Sequence, residues 1–130
     1  MADKPKLDEL TRRERQIMDV IYRLGRASAA DVVDNLPGRP NNATIRTMLG
    51  VLEEKKYLRH ETEKGRYVYF PTIPLHQARR TALNQVMETF FKGSEANAVI
   101  SILKKSDANI SDDDVEMILE LIEKSRKEGR

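Results

Sequence analysis

Cysteine is absent from this 130-residue chain, and histidine occurs only twice. Without cysteine there can be no disulfide framework, thiol nucleophile, iron–sulfur site or thiolate zinc site. His60 and His76 stand in no spacing with serine or carboxylate residues that would indicate a catalytic triad. We therefore expect a protein that is not an enzyme and that needs no cofactor and no metal ion.

Long apolar runs are also lacking. No stretch approaches the roughly 18 apolar residues that a membrane-spanning helix requires. The first residues, Met-Ala-Asp-Lys-Pro-Lys, are not followed by the apolar segment of a signal peptide. The expectation is a cytoplasmic protein without membrane insertion, of a size typical of one domain or of one small domain with an appendage.

Charge is distributed unevenly along the chain, although the formal net charge is only +2. Up to Thr81 there are 16 basic and 11 acidic residues, and beyond it 7 basic and 10 acidic residues. A basic part followed by an acidic part favours an anionic partner for the first part and a different role for the second.

Apolar residues recur at helical spacing in three segments within residues 11–56. Thr11 and Ser28 begin the first two segments with sequences typical of helix N-caps, and Asn41 or Asn42 can cap the third. In the third segment the apolar residues form a single stripe. The core stripe is Ile45, Met48, Leu49 and Leu52. Three compact helices are therefore predicted.

The spacing of the apolar residues changes from helical to alternating after the third helix. Residues 58–63 and 66–70 alternate as strands do and are joined by Lys64-Gly65, which predicts a β-hairpin. Beyond Pro74 the sequence predicts three further amphipathic helices. The predicted fold class is mostly α with a small β-hairpin wing (α+β).

Three helices followed by a hairpin with a basic tip is the order of a winged helix-turn-helix domain. In that fold the third helix enters the major groove of DNA and the hairpin touches the flanking backbone. We predict a winged-helix DNA-binding domain over residues 1–74 and a helical dimerisation domain over residues 75–130.

The third helix carries small residues opposite its core stripe, and these allow its backbone to approach a groove closely. Thr44, Arg46 and Thr47 are predicted to contact base edges, while Lys64 and Arg66 are predicted to contact phosphates. Without the hairpin, the same helix face would be interpreted as ordinary solvent-exposed surface. The predicted DNA-binding residues are Asn42, Ala43, Thr44, Arg46, Thr47, Gly50, Lys64, Gly65 and Arg66.

An alternative is a winged helix that binds another protein through the same surface, without sequence-specific DNA binding. The two hypotheses differ in their salt dependence. DNA binding through several phosphates weakens steeply as salt increases, whereas a protein interface usually responds far less.

The third helix and the wing also resemble a known family. Residues 42–58 are similar to the recognition-helix signature of the penicillinase repressor family, which includes the methicillin-resistance repressor. In the wing, Gly65-Arg66 followed by Tyr69 and Pro71 resembles the family's Gly-Arg, Tyr, Pro run. The chain differs at Val51, where the family commonly has Arg, and at Lys56, where it has Gly. The signature residues are Thr44, Ile45, Thr47, Leu49, Leu52, Lys55 and Leu58.

The resemblance implies a homodimeric transcriptional repressor that binds a palindromic double-stranded DNA operator and controls antibiotic-resistance genes of the beta-lactam type. Physical reasoning also favours a dimer, because fewer than about 60 residues rarely support an independent core. The alternative is that the C-terminal helices fold back on their own winged helix. The predicted dimerisation residues are Leu83, Val86, Phe90, Val99, Ile100, Leu103, Val115, Ile118, Leu119 and Ile122.

The resemblance further implies that a membrane sensor-protease pathway relieves repression by cleaving the C-terminal helices. The matching bond joins Ser101 to Ile102, whereas the family's bond joins Asn to Phe. An intact chain in cells exposed to a beta-lactam would contradict this expectation.

Overall fold

The computed structural model of this chain describes residues 5–105 and 107–128. Residues 1–4, 106, 129 and 130 of the predicted domains lie outside the described residues. Within the described ranges, six α-helices accompany three short strands. The elements are α1 (Arg12–Leu24), β1 (Ala27–Ser28), α2 (Ala29–Asn35), α3 (Asn42–Glu54), β2 (Leu58–Glu63), β3 (Arg66–Pro71), α4 (Leu75–Val86), α5 (Glu95–Leu103) and α6 (Asp112–Lys127).

The chain divides into two compact units, Met1–Gln85 and Val86–Arg130. The first unit holds the three N-terminal helices, the sheet and α4 up to Gln85. The division predicted from sequence ends at residue 74, where α4 is about to begin. That functional division stays a prediction.

Side-chain caps begin the first three helices. The Thr11 hydroxyl accepts a hydrogen bond from the backbone N–H of Glu14 at 3.2 Å, and the Glu14 carboxylate accepts one from the N–H of Thr11 at 2.9 Å. Ser28 and Asp31 form the same reciprocal box before α2. Of the two asparagines that could cap α3, Asn41 does so, since its side-chain oxygen accepts from the N–H of Ala43 at 2.7 Å. These caps satisfy donors that a helix N-terminus otherwise leaves unpaired.

The three strands form one antiparallel sheet in the order β1-β3-β2. The predicted hairpin is confirmed, and its register runs from Leu58 opposite Pro71 to Glu63 opposite Arg66. The sequence did not predict β1, because two residues directly before a helix cap are too short to show a strand period. The predicted winged-helix order, three helices and then a hairpin, is confirmed.

The hairpin turn consists of Lys64 and Gly65. Both residues have positive φ, 51° and 77°. Positive φ at both central positions is the requirement of a type I′ turn, whose twist matches that of the two strands. The turn therefore places a lysine in a conformation that non-glycine residues seldom adopt, at the outermost point of the wing.

The core of the first unit is built from the apolar stripes of the helices. In α3 the predicted stripe is buried, except that Met48 is partly buried against its edge. The side chains with no exposed surface are Ile17, Ile21, Val32, Ile45, Leu49 and Leu52. Because α3 buries this stripe in the common core of the unit, where it packs against α2 and β2, its opposite face is directed outward.

A buried carboxylate connects α1 to the end of α3. Glu14 is 5% exposed, and its second oxygen lies 2.9 Å from the Nζ of Lys55. Burial raises the pKa of Glu14, but the hydrogen bonds from the Thr11 backbone and from Lys55 outweigh burial, so the pKa is lower than the ordinary value of 4.5. The charged form of Glu14 therefore stabilises the folded state.

We expect Glu14→Gln to lower the free energy of unfolding by about 1 to 3 kcal/mol near pH 7, because the buried carboxylate and its charge-assisted hydrogen bond to Lys55 are lost. A lowered folded-state pKa contributes stability above the unfolded-state pKa, and this contribution disappears as pH falls through the folded-state pKa. The difference in the free energy of unfolding between Glu14→Gln and wild type should therefore become smaller below about pH 4.5. Urea unfolding from pH 7 to pH 3 measures it, with the exposed Glu9→Gln as control. A difference that is the same at every pH would contradict this account.

The exit of α3 is a Schellman motif. The N–H of Tyr57 donates to the carbonyl of Leu52 at 2.9 Å, and the N–H of Lys56 donates to that of Glu53 at 3.0 Å. Lys56 occupies the left-handed position of this motif with φ 72°. The buried Tyr57 then donates its hydroxyl to the carbonyl of Lys6 at 2.6 Å. The turn thus returns the chain to the core at a fixed angle before β2.

We expect Lys56→Gly to raise the free energy of unfolding by about 1 kcal/mol, because glycine adopts positive φ without the steric cost that a side chain meets. Lys56→Ala is the matched control, since it removes the charge but keeps a β-carbon at the strained position. Thermal and urea unfolding of both variants test this. If Lys56→Ala stabilises the protein as much as Lys56→Gly, charge rather than backbone conformation is responsible.

The second unit is less buried than the first. Ser94 caps α5 and Ser111 caps α6 in a box with Asp114, whereas α4 ends in a π-helical turn over Met87–Phe91. Among the described residues of this unit, only Ala98 is buried. No helix within residues 5–105 and 107–128 combines the length and the apolar composition needed to cross a membrane.

Candidate nucleic-acid interface

The outward face of α3 carries every residue that the sequence predicted there. Asn42, Ala43, Thr44, Arg46, Thr47 and Gly50 are all exposed. A β-carbon added at Gly50 would meet nothing within 4 Å, so no neighbour inside the protein requires glycine there. The Thr47 hydroxyl donates to the carbonyl of Ala43 at 3.1 Å. This bond engages the hydroxyl hydrogen of Thr47, so the methyl group and an oxygen lone pair of Thr47 are left for an external contact.

The wing carries the second predicted set. Lys64, Gly65 and Arg66 are exposed at its tip. Arg46, Lys64 and Arg66 have no acidic side chain within 4.0 Å among the described residues. These three cations are therefore available to anions outside the chain.

An open cleft of about 570 Å³ separates α3 from the wing within the first unit. Arg46 and Gly50 line it from α3, and Gly65 and Arg66 line it from the wing. The structure thus brings Arg46 and Gly50 of the first predicted set together with Gly65 and Arg66 of the second, while Asn42, Ala43, Thr44, Thr47 and Lys64 do not line the cleft. Such a surface, with a helix for one groove and a loop for the adjacent backbone, matches the docking geometry of helix-turn-helix domains.

Two other arginines, Arg59 of the wing and Arg26 just before β1, have partners within the chain. Arg26 and Arg59 lie over the ring of Phe70, at 5.6 Å and 4.4 Å from its centroid. Arg26 is also paired with Glu63, and Arg59 lies 2.6 Å from Glu61. These contacts hold the outer face of the hairpin together and distinguish these arginines from Arg46 and Arg66.

The sequence did not assign Glu53 and His60 to the site, yet the two side chains are in contact beside the cleft. Nδ1 of His60 lies 2.5 Å from a carboxylate oxygen of Glu53, and the imidazole stacks on the ring of Tyr67 with centroids 3.9 Å apart. Burial raises the pKa of Tyr69, and the nearby charge of Glu53 raises it further. The predicted hairpin could have shown that His60 lies beside these tyrosines, because its register places His60 opposite Tyr69. The missing information was the angle at which α3 meets β2.

Comparison with known proteins shows the family of this chain. Residues 10–124 match the model of the penicillinase repressor family. The chain belongs to this family. Its members are DNA-binding regulators and not enzymes. Within the part of the chain that the structure describes, the histidine and acidic side chains form no group of three that could hold a metal ion.

Two individual proteins are similar to this penicillinase repressor family member. One is an uncharacterized 16.5 kDa protein in the ptsI 3′ region of Latilactobacillus sakei, with 30% identity over 83 residues. The match spans 62% of this chain and 57% of the length of that relative. The other is the solution structure of the DNA binding domain of the repressor BlaI, with 28% identity and a TM-score of 0.48. That match covers 55% of this chain and 90% of the BlaI domain.

The apolar residues predicted to pair two chains of this family member are mostly exposed. In α6, Leu119 is 59% exposed, and Phe90 in the π-helical turn is 75% exposed. Val99, Ile118 and Ile122 line an open groove between α5 and α6. Leu121, which the sequence prediction did not include, lines the same groove. The other predicted residues with large exposed surface are Leu83, Val86, Ile100, Leu103 and Val115.

The predicted cleavage bond lies inside a helix. Ser101 and Ile102 are exposed residues near the end of α5, which closes at Leu103. A protease that binds an extended segment would require this end of α5 to open first. Cleavage at this bond stays a prediction.

Proposed function

We propose that this chain is a sequence-specific DNA-binding transcriptional repressor. One observation carries the proposal: Arg46 on α3 and Arg66 on the wing line the same cleft of the first unit, and neither they nor Lys64 at the wing tip has an acidic partner among the described residues. Unpaired cations on an exposed helix and an adjacent loop suit a polyanion with a groove, which is double-stranded DNA. Membership of the penicillinase repressor family supports the same conclusion.

The contacts divide by chemistry. Arg46 can donate two hydrogen bonds to a guanine edge, and the exposed Thr44 can donate or accept one. Thr47 has its hydrogen engaged with Ala43, so it contacts a base through its methyl group or its lone pair. Lys64 and Arg66 bind phosphates on the flanking backbone. Base preference is therefore assigned to α3 and sequence-independent affinity to the wing.

We propose further that the second unit pairs two chains into a homodimer. Soluble monomers seldom expose large contiguous apolar surfaces, yet α5 and α6 expose most of their large apolar side chains. A second copy offers the same apolar face under two-fold symmetry, which is the commonest assembly. Two recognition helices related by this symmetry suit a palindromic operator. From family membership we propose resistance genes of the beta-lactam type as targets.

The first experiment is fluorescence-anisotropy binding to DNA from upstream of the chain's own gene, compared with scrambled DNA over a salt series. Arg46→Ala should reduce discrimination between the two DNAs by about 1 to 3 kcal/mol. Lys64→Ala should weaken binding to both DNAs equally and reduce the salt slope by about 1. Lys124→Ala in α6 is the charge-matched control and should change neither quantity.

Other outcomes separate the hypotheses. If Arg46→Ala leaves site preference intact, α3 is not the element that reads bases. If wild type shows no preference and little salt dependence, the winged helix binds a protein instead of DNA, as in the alternative interpretation of the sequence.

A charge placed on the apolar face of α6 tests the homodimer. Leu119→Glu should convert a two-chain mass into a one-chain mass at micromolar concentration in sedimentation or light-scattering measurements, because a buried unpaired carboxylate opposes association. Met117→Glu is the matched control, since Met117 is 62% exposed but lies off the predicted stripe. A one-chain mass for wild type, or the same effect from both variants, would contradict dimerisation through this face.

A further inference from the structure

The cleft beside α3 contains one feature that DNA contact alone does not explain. Of its lining residues, Glu53 alone is acidic. A carboxylate near phosphates is repelled by them, so its position here is unfavourable unless it has another role. Its oxygen is engaged at 2.5 Å by Nδ1 of His60, and about a third of each side chain is exposed.

This hydrogen-bonded contact joins two different elements. Glu53 lies in the last turn of α3, and His60 is the third residue of β2. The turn between them fixes the direction in which the chain leaves α3, and the buried Leu58 anchors the base of β2 in the core. The Glu53–His60 contact lies beyond this base and is a further side-chain contact between α3 and β2. A contact farther from the base restrains the outer part of the wing, which the turn and the core restrain less.

The connection continues toward the wing tip. A hydrogen bond at Nδ1 orients the imidazole ring of His60, whose face stacks on Tyr67 at an interplanar angle of 20°. Tyr67 follows Arg66, one of the two wing cations. Tyr67 is 53% exposed and therefore contributes little to the core. The stack positions the outer part of β3 more than it stabilises the fold.

We propose that Glu53 and His60 are positioning residues that hold the wing at a fixed angle to α3, so that Arg46 and Arg66 contact one DNA site together. The proposal rests on the DNA-binding function proposed above. Its physical basis is preorganisation: a wing that is already fixed loses less conformational freedom when it binds. A wing without the pair still folds, because the β2–β3 register is set by its own turn and hydrogen bonds.

The pair is tested first without DNA. Stacking on Tyr67 should shift the ring-proton NMR signal of His60 upfield, and His76→Gln assigns that signal because the chain has only two histidines. Glu53→Ala should abolish the upfield shift. Glu53→Gln keeps an oxygen that accepts from Nδ1–H and should retain the shift. An unchanged signal in Glu53→Ala would show that Glu53 does not hold the imidazole, and would overturn the proposal.

The second test measures DNA affinity. His60→Ala should weaken binding about tenfold, whereas His60→Asn, whose amide can replace Nδ1 as donor, should restore part of the loss. Glu53→Gln and Glu53→Ala remove the same charge, so tighter binding by Glu53→Gln isolates the hydrogen bond. Thermal unfolding and circular dichroism of every variant verify the fold.

A wing-deficient background separates positioning from other roles. In the Lys64→Ala/Arg66→Ala protein, adding His60→Ala should have no further effect, because no wing contact is left to misplace. A further tenfold loss in that background would mean that His60 acts by direct contact or through the fold, and the proposal would be wrong. Failure of DNA binding itself is distinguishable, since wild type would then show no site preference at all, whatever the NMR result.

Discussion

Burial of one stripe of α3 is the constraint on which the rest of the first unit depends. Ile45, Leu49 and Leu52 have no exposed surface, and their packing against the core leaves α3 no freedom to rotate about its axis. The exposure of Thr44 and Arg46 follows directly. The same packing that stabilises the fold therefore decides which side chains are presented to a partner.

The two ends of α3 determine where the helix begins and in which direction the chain continues toward the wing. The Asn41 cap fixes where the helix begins, and the Schellman turn at Lys56 fixes the direction in which the chain leaves it. The buried carboxylate of Glu14, which accepts a hydrogen bond from the half-exposed Lys55, connects that exit to the start of α1. The strained φ of Lys56 is tolerated because the backbone hydrogen bonds of the turn and the buried Tyr57 over-determine its conformation. The wing begins two residues later, so its position depends on this turn.

The two units use apolar residues differently. In the first unit the apolar stripes meet and exclude water, and the exposed surface carries unpaired cations. In the second unit the stripes of α5 and α6 are present at the same helical spacing, but most of their large side chains stay exposed. A short chain can have the sequence pattern of a core without having enough residues to close one. This difference underlies the separate roles proposed for the two units.

The sequence by itself determined the helices, the hairpin and the outward residues of α3. Each depends on neighbours within about four residues: a capping side chain, a helical or strand period, or a two-residue turn. Family resemblance was also readable from local motifs, and the family match over residues 10–124 confirms it. Tertiary structure decided the rest. The short β1, the cleft between α3 and the wing, and the contact of Glu53 with His60 each depend on the angle between elements that are separate in sequence. Many packed side chains set that angle together, and no local pattern in the sequence specifies it.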